Sequence, residues 1–228
     1  MPHDPDSASL DDLTATRESL HQLAEHVLAA ARYAADGRIG LKVVPGGIAT
    51  PPFGIDGCTA AVIGTELIVA DPTGTHGQDI STLREAATAL GIDAGGPSQA
   101  YELSTPCDQD APLTMTNGAA DQLAAWFSLA DAALCDFVGT HAAEDPSTIT
   151  LWPEHFDLGI TMGACNYGAS LGDAGRPEPY LYVGPHDAAA RHGTSPFWNE
   201  PYGAAVSWHE IADVDAAVAF FESGLAHL

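Results

Sequence analysis

LWPEHFDLGITMG, residues 151–163, places Phe156, Leu158, Ile160 and Met162 on every second position, with Asp157, Gly159 and Thr161 between them. An extended chain sends alternate side chains to opposite faces, so the spacing predicts a strand that buries its apolar row and turns a polar row the other way. By the same rule His155 and Asp157, two apart, would share the polar face. Upstream, STITLW (147–152) reads as another strand, and downstream PYLYV (179–183) and GAAVSWHEI (203–211) supply two more. The chain then closes with a helix, 213–228, N-capped by Asp213 and carrying Val214, Val218, Phe221 and Leu225 on one face.

Working back toward the N-terminus, residues 118–138 form an apolar-rich helix with Leu123, Trp126, Phe127, Ala130 and Leu134 along one side, stopped by Gly139. Residues 92–117 have no sustained period and many turn formers, and we read them as a linker. Before them STLREAATAL (81–90) predicts a short helix with Thr82 and Glu85 as a capping box and Gly91 as its stop. CTAAVIG (58–64) and ELIVA (66–70) predict a hairpin turning at Gly64-Thr65. PGGIATPPFGIDG (45–57) is too rich in Pro and Gly to continue the strand predicted at 39–43. A first helix spans 11–36, with Leu13, Leu20, Leu23, Val27 and Ala31 at helical spacing and Gly37 as its stop. Residues 1–10 read as a polar, flexible terminus.

The expected fold is therefore α+β, with mainly antiparallel sheet, packed helices and two helix–strands–helix halves: 11–91, and 118–228 carrying the candidate site. The repeated order suggests an internal duplication, which no recurring residue motif supports.

Composition narrows the function. Thirty-one acidic against seven basic residues give 228 residues a net charge of −24, a surface that repels nucleic-acid phosphates and anionic membranes. The acids are dispersed, as on a solvated surface. No apolar run of about 20 residues stands out as a membrane span, and the start lacks the basic and apolar regions of a secretory leader. A cytoplasmic protein follows as the expectation, with no nucleic-acid or membrane partner; a homo-oligomer is compatible with it. Cys58, Cys107, Cys135 and Cys165 form no CxxC pair and read as free thiols. Neither GxGxxG nor GxxxxGK[ST] occurs, so no nucleotide cofactor is expected, and there is no GxSxG nucleophile turn.

Chemistry concentrates where strands carry polar rows. His155 and Asp157, Glu178 and Tyr180, and Ser207 with His209 each share a face if extended. If those faces coincide, His155 and Asp157 are catalytic candidates, and His155, Glu178 and His209 are candidate ligands for a divalent metal such as Zn, Mn or Fe. An antiparallel sheet with one solvated face explains the same residues without a site. FWNEPYG (197–203) repeats the Glu-Pro-Tyr of 178–180, and a pocket built there would use Trp152, Tyr180, Trp198, Asn199, Glu200 and Tyr202; an irregular loop anchored by its aromatics is the plainer alternative. His21 and His26 lie five apart on the first helix, off the spacing of a helical metal pair.

Residues 150–210, with WPEHFDL, then EPYLYV, then the Trp-containing strand GAAVSWHE, resemble a mainly actinobacterial family of uncharacterised proteins sharing a WPxHFDL core and a downstream EPYxYV. The resemblance implies membership and points to Trp152, His155, Asp157, Glu178 and Tyr180, and it brings no activity with it. The expected function is a small-molecule enzyme, metal-assisted in one version; the alternatives are a non-catalytic binding module on the same pocket and a structural or interaction protein with none.

Overall fold

In the computed structural model, which describes residues 8–228, Ser9 accepts a hydrogen bond from the Asp12 N–H (3.1 Å) and starts α1 (Leu10–Leu23). The terminus read at 1–10 falls mostly outside the described residues. The helix runs without interruption through a π-helical segment (Ala24–Ala29) into α2 (Ala30–Asp36), where Gly37 closes it in the left-handed region (φ 68°). All six residues of the π-helical segment are buried.

β1 (Lys42–Val44), β2 (Gly47–Ala49), β3 (Thr59–Ile63), β4 (Glu66–Asp71) and β5 (Gly74–Asp79) form an antiparallel meander in sequence order. The β3–β4 hairpin turns at Gly64, as the sequence predicts. Two strands differ from expectation. The Pro-Gly segment does carry a strand, β2, because Pro45-Gly46 makes a tight turn with Gly46 at φ 79°. Gly47 then sits so close to β3 that a Cβ would lie 1.9 Å from the Val62 carbonyl oxygen, a place only glycine fills. β5, the sheet's edge, is exposed at every residue and has no apolar row to announce it. α3 (Leu83–Ala89) starts at Thr82, whose hydroxyl accepts from the Glu85 N–H at 3.2 Å.

α4 (Asn117–Thr140) follows, then β6 (Thr150–Trp152), β7 (Asp157–Met162), β8 (Cys165–Ser170), β9 (Tyr180–Pro185), the single turn α5 (Ala188–Arg191), β10 (Ala204–Ser207) and α6 (Val214–Ala226). The second sheet is also five-stranded and antiparallel, in the order β10-β9-β8-β7-β6. The class is α+β, as expected, while the paired order of elements does not establish a duplication. By length and composition α4 could cross a membrane, with a mean hydropathy of 1.3 over its most apolar stretch, 44% of which is buried within the protein; Asp121, Asp131 and Asp136 interrupt it, so it holds no continuous apolar run of that length.

The chain divides into two compact units: the described residues up to Ala125 with Leu151–Phe156, and Trp126–Thr150 with Asp157–Leu228. The division falls within α4, and residues 92–117 belong to the first unit. That unit is cored by Leu13, Leu23, Val27, Leu28, Leu67 and Leu83. In the second, Phe137 packs on Tyr167 (4.9 Å between ring centres) and Phe221 (5.7 Å), under the apolar row Leu158, Ile160, Leu181 and Val183.

Candidate functional site

The WPEHFDL run does not enter β7 in one sweep. Residues 153–156 form a turn, Phe156 adopts φ 50°, and the strand begins at Asp157. Alternation applies only along extended backbone, so His155 and Asp157 do not share a strand face. His155 is exposed in the turn, whereas Phe156 is 3% exposed and stacks on the His21 ring with centres 5.0 Å apart. The His21 Nε2–H donates to the Pro153 carbonyl (2.8 Å), and burial of the ring holds its pKa below the ordinary histidine value against that hydrogen bond.

Asp157 does lie on a polar sheet face. Register places Asp157 beside Ser170, Ser170 beside Tyr180, and Tyr180 beside Ser207. In the next row stand Gly159, Gly168, Tyr182 and Ala205. A Cβ on Gly168 would come within 2.5 Å of the Tyr182 hydroxyl, and one on Gly159 within 2.9 Å. The Tyr182 ring therefore lies across two strands over a glycine pair, and its hydroxyl donates to Asp157 Oδ2. Burial, with the Asp157 charge beside it, pushes the Tyr182 pKa far up.

At the next position along the face, Tyr180 donates to Asp173 Oδ2 (2.7 Å), while Asp173 Oδ1 accepts from the Gly175 (2.7 Å) and Arg176 (2.8 Å) amides. The Arg176 guanidinium sits over the Tyr180 ring, 5.4 Å from its centre, and pairs with Glu200. Tyr202 joins this group, its electrostatic neighbours being Glu200, Arg176, Asp173 and Tyr180, and is 42% exposed. Burial raises the pKa of both Tyr180 and Tyr202, adding to the effect of Asp173 on the first and Glu200 on the second. The two Glu-Pro-Tyr segments thus bring their tyrosines together. Their glutamates part: Glu200 pairs with Arg176, and Glu178 lies 3.5 Å from His209 Nε2 at the surface.

The remaining expected residues take other places. His209 lies in a 3₁₀ turn (Trp208–Glu210) beyond β10, so it does not share a strand face with Ser207; Glu210 closes that turn by accepting from the Ser207 N–H at 3.3 Å. Trp198 is buried in its loop, against Phe197 and beneath the Arg191 guanidinium, as an anchor and not a wall. Asn199 spends both ends of its amide on Ala205, accepting from its N–H and donating to its carbonyl, each at 2.9 Å. Trp152 is exposed on β6, in the other unit. Among the described residues no three His, Cys, Asp or Glu side chains gather closely enough to hold a metal, so His155, Glu178 and His209 do not form a ligand set here.

In the first unit the structure shows a polar cluster that the helical pattern hides. Glu25 and His26, on the π-helical segment, are both fully buried. Glu25 accepts from the Ser104 amide (3.0 Å), the Thr105 amide (2.9 Å) and the Thr105 hydroxyl (2.5 Å). His26 Nδ1 accepts from the Gly96 amide at 2.9 Å, and Nε2 faces the Thr105 carbonyl (3.1 Å) and hydroxyl (2.9 Å). These bonds, with an isolated bridge between Thr82 and Pro112, attach residues 90–116, which contain neither helix nor strand. The sequence signal was a Glu-His pair amid the apolar positions of a helix, where a polar group needs a partner. Compared with known protein families, curated proteins and solved structures, the chain matches none.

Proposed function

We propose that the tyrosine-bearing face of the second unit binds a small, uncharged, hydroxyl-bearing molecule, and that the protein acts as a binding module in the cytoplasm. The observation that carries this reading is the Tyr180–Arg176–Glu200–Tyr202 group, an aromatic and planar-charged surface with Tyr202 open to solvent. Its positive charge, Arg176, is engaged by Glu200, while the Asp173 and Asp157 carboxylates accept from the neutral Tyr180 and Tyr182 hydroxyls. An anion would have to displace Glu200 from Arg176 against the carboxylate excess, and a cation would have to draw Asp173 or Asp157 away from the donors that already hold them. Hydroxyl groups can add to the remaining lone pairs without displacing any partner. The three tyrosines, all with raised pKa, remain protonated near neutral pH and are suited to hydrogen bonding more than to proton abstraction, which favours binding over the enzyme reading.

Thermal denaturation with a panel of monosaccharides and polyols, organic amines and small carboxylates tests the proposal. A neutral member present at about a hundred times its Kd should stabilise by about 2.7 kcal/mol. Tyr202→Ala should abolish that gain. No stabilisation by any neutral member, or full stabilisation retained in Tyr202→Ala, would overturn it.

A further inference from the structure

We propose that His26 is a proton-sensitive latch on the segment around residues 95–105. The hydrogen-bond network fixes one tautomer. The Gly96 N–H points at Nδ1 from 2.9 Å, so Nδ1 must be bare. The Thr105 hydroxyl gives its hydrogen to Glu25 Oε2 (2.5 Å), so Nε2 carries the proton and donates to the Thr105 carbonyl or hydroxyl oxygen. Only the neutral ring satisfies all of these bonds at once. A second proton, on Nδ1, sets two donors face to face and leaves the Gly96 amide buried without an acceptor.

The surroundings leave Gly96 little room to adjust: a Cβ there would meet Leu103 at 2.4 Å, Glu25 at 3.2 Å and His26 Nδ1 at 3.2 Å. Gly95 adds a backbone bond to the His26 carbonyl at 3.1 Å, so the ring and its own main chain hold adjacent residues of the loop. The charged and titratable groups about the pair are Glu25 on the same segment, with Oε2 3.6 Å from His26 Nε2, His21 and Arg17 on α1, Tyr101 and Cys107 in the loop, and Glu154 in the turn after β6. α3 also packs on the π-helical segment and offers the apolar Leu83, Ala86 and Ala87, while its Arg84 is engaged by Asp110. The Glu25 carboxylate attracts a charged His26 ring as a whole, and what opposes the second proton is the meeting of two donors at Nδ1.

Native-state hydrogen exchange of the intact chain, corrected for intrinsic rates, tests the latch between about pH 7 and about pH 5, the range in which histidines gain charge. Opening at the Gly96 amide should rise by up to about tenfold per pH unit, the slope of a one-proton linkage, while amides of β8 hold constant. In His26→Asn, whose side-chain oxygen can replace Nδ1 as acceptor and takes up no proton, the slope at Gly96 should vanish. If that variant does not fold, the ¹⁵N shifts of His26 in the wild-type protein at about pH 7 decide, since the latch requires a bare Nδ1 and a protonated Nε2 in the closed state. A flat Gly96 profile, an equal slope in β8, a slope that survives in His26→Asn, or a folded-state Nδ1 that already carries a proton at about pH 7 would each overturn the proposal.

Discussion

Gly168→Ala should destabilise the protein by about 1 to 3 kcal/mol, the range for forcing a methyl group into a closed site. The added Cβ would stand 2.4 Å from the Leu158 carbonyl oxygen and 2.6 Å from Tyr182 Cζ. The first contact is backbone in the neighbouring strand and cannot swing away. Replacing glycine also stiffens the unfolded chain, which works in the opposite direction by about 0.4 to 1 kcal/mol, so the observed loss is already net of that gain. Gly159→Ala is the internal control: its Cβ would meet the Tyr182 hydroxyl at 2.9 Å and the Tyr167 carbonyl oxygen at 3.0 Å, milder contacts, the nearer one at the tip of a side chain. It should lose less than Gly168→Ala. In a Tyr182→Phe background the hydroxyl is gone, so the Gly159→Ala penalty should shrink, while Gly168→Ala keeps its clash with Leu158. Urea unfolding, read by tryptophan fluorescence and circular dichroism together, gives all the required differences. A Gly168→Ala protein as stable as wild type, or one more stable than Gly159→Ala, would refute the seating of Tyr182 over the glycine pair.

Phe156→Ala and Leu158→Ala should each lose about 2 to 5 kcal/mol in the same assay, since both side chains are buried, whereas His155→Ala, at an exposed turn position, should stay within about 0.5 kcal/mol of wild type. Burial holds the His21 pKa below the ordinary value of 6.5, so the unfolded chain takes up that proton first. The His21 contribution is thus complete above about pH 6.5 and declines as the pH falls from there through the folded-state value, and His21→Asn should flatten the acid side of the stability–pH curve; an unchanged acid slope would contradict this. On heparin or duplex DNA the protein, at net charge −24, should show no salt-dependent retention, and tight binding that weakens with added salt would contradict that.

Where one face is buried, the sequence was legible. The row from Leu158 to Met162, the Gly64 hairpin and the caps at Thr82 and Asp213 all follow from local rules the structure obeys. β5 was silent because GTHGQD buries nothing, and β2 was masked because the glycines that read as a break are what lets it approach β3. The candidate site was half legible. Asp157, Tyr180 and Tyr182 lie on the polar face, with Glu200 and Tyr202 in the turn before β10, yet Arg176 and Asp173 were overlooked, because their roles come from loop geometry that spacing does not encode. The shared-face placements of His155 and His209 failed for one physical reason: alternation was extended past a positive φ at Phe156 and past the 3₁₀ turn at Trp208, where the backbone is no longer a strand. Glu25 and His26 were hidden by reading a π-helical segment as ordinary helix.

Chemical-shift mapping of the ¹⁵N-labelled protein, titrated with whichever neutral polyol stabilises it most, tests the binding account most directly. The account predicts saturable shifts concentrated at residues 173–182 and 199–203, with the Arg176 guanidinium among those that move. Shifts absent from those residues, or centred instead on the loop around Gly96 and Thr105, would contradict it.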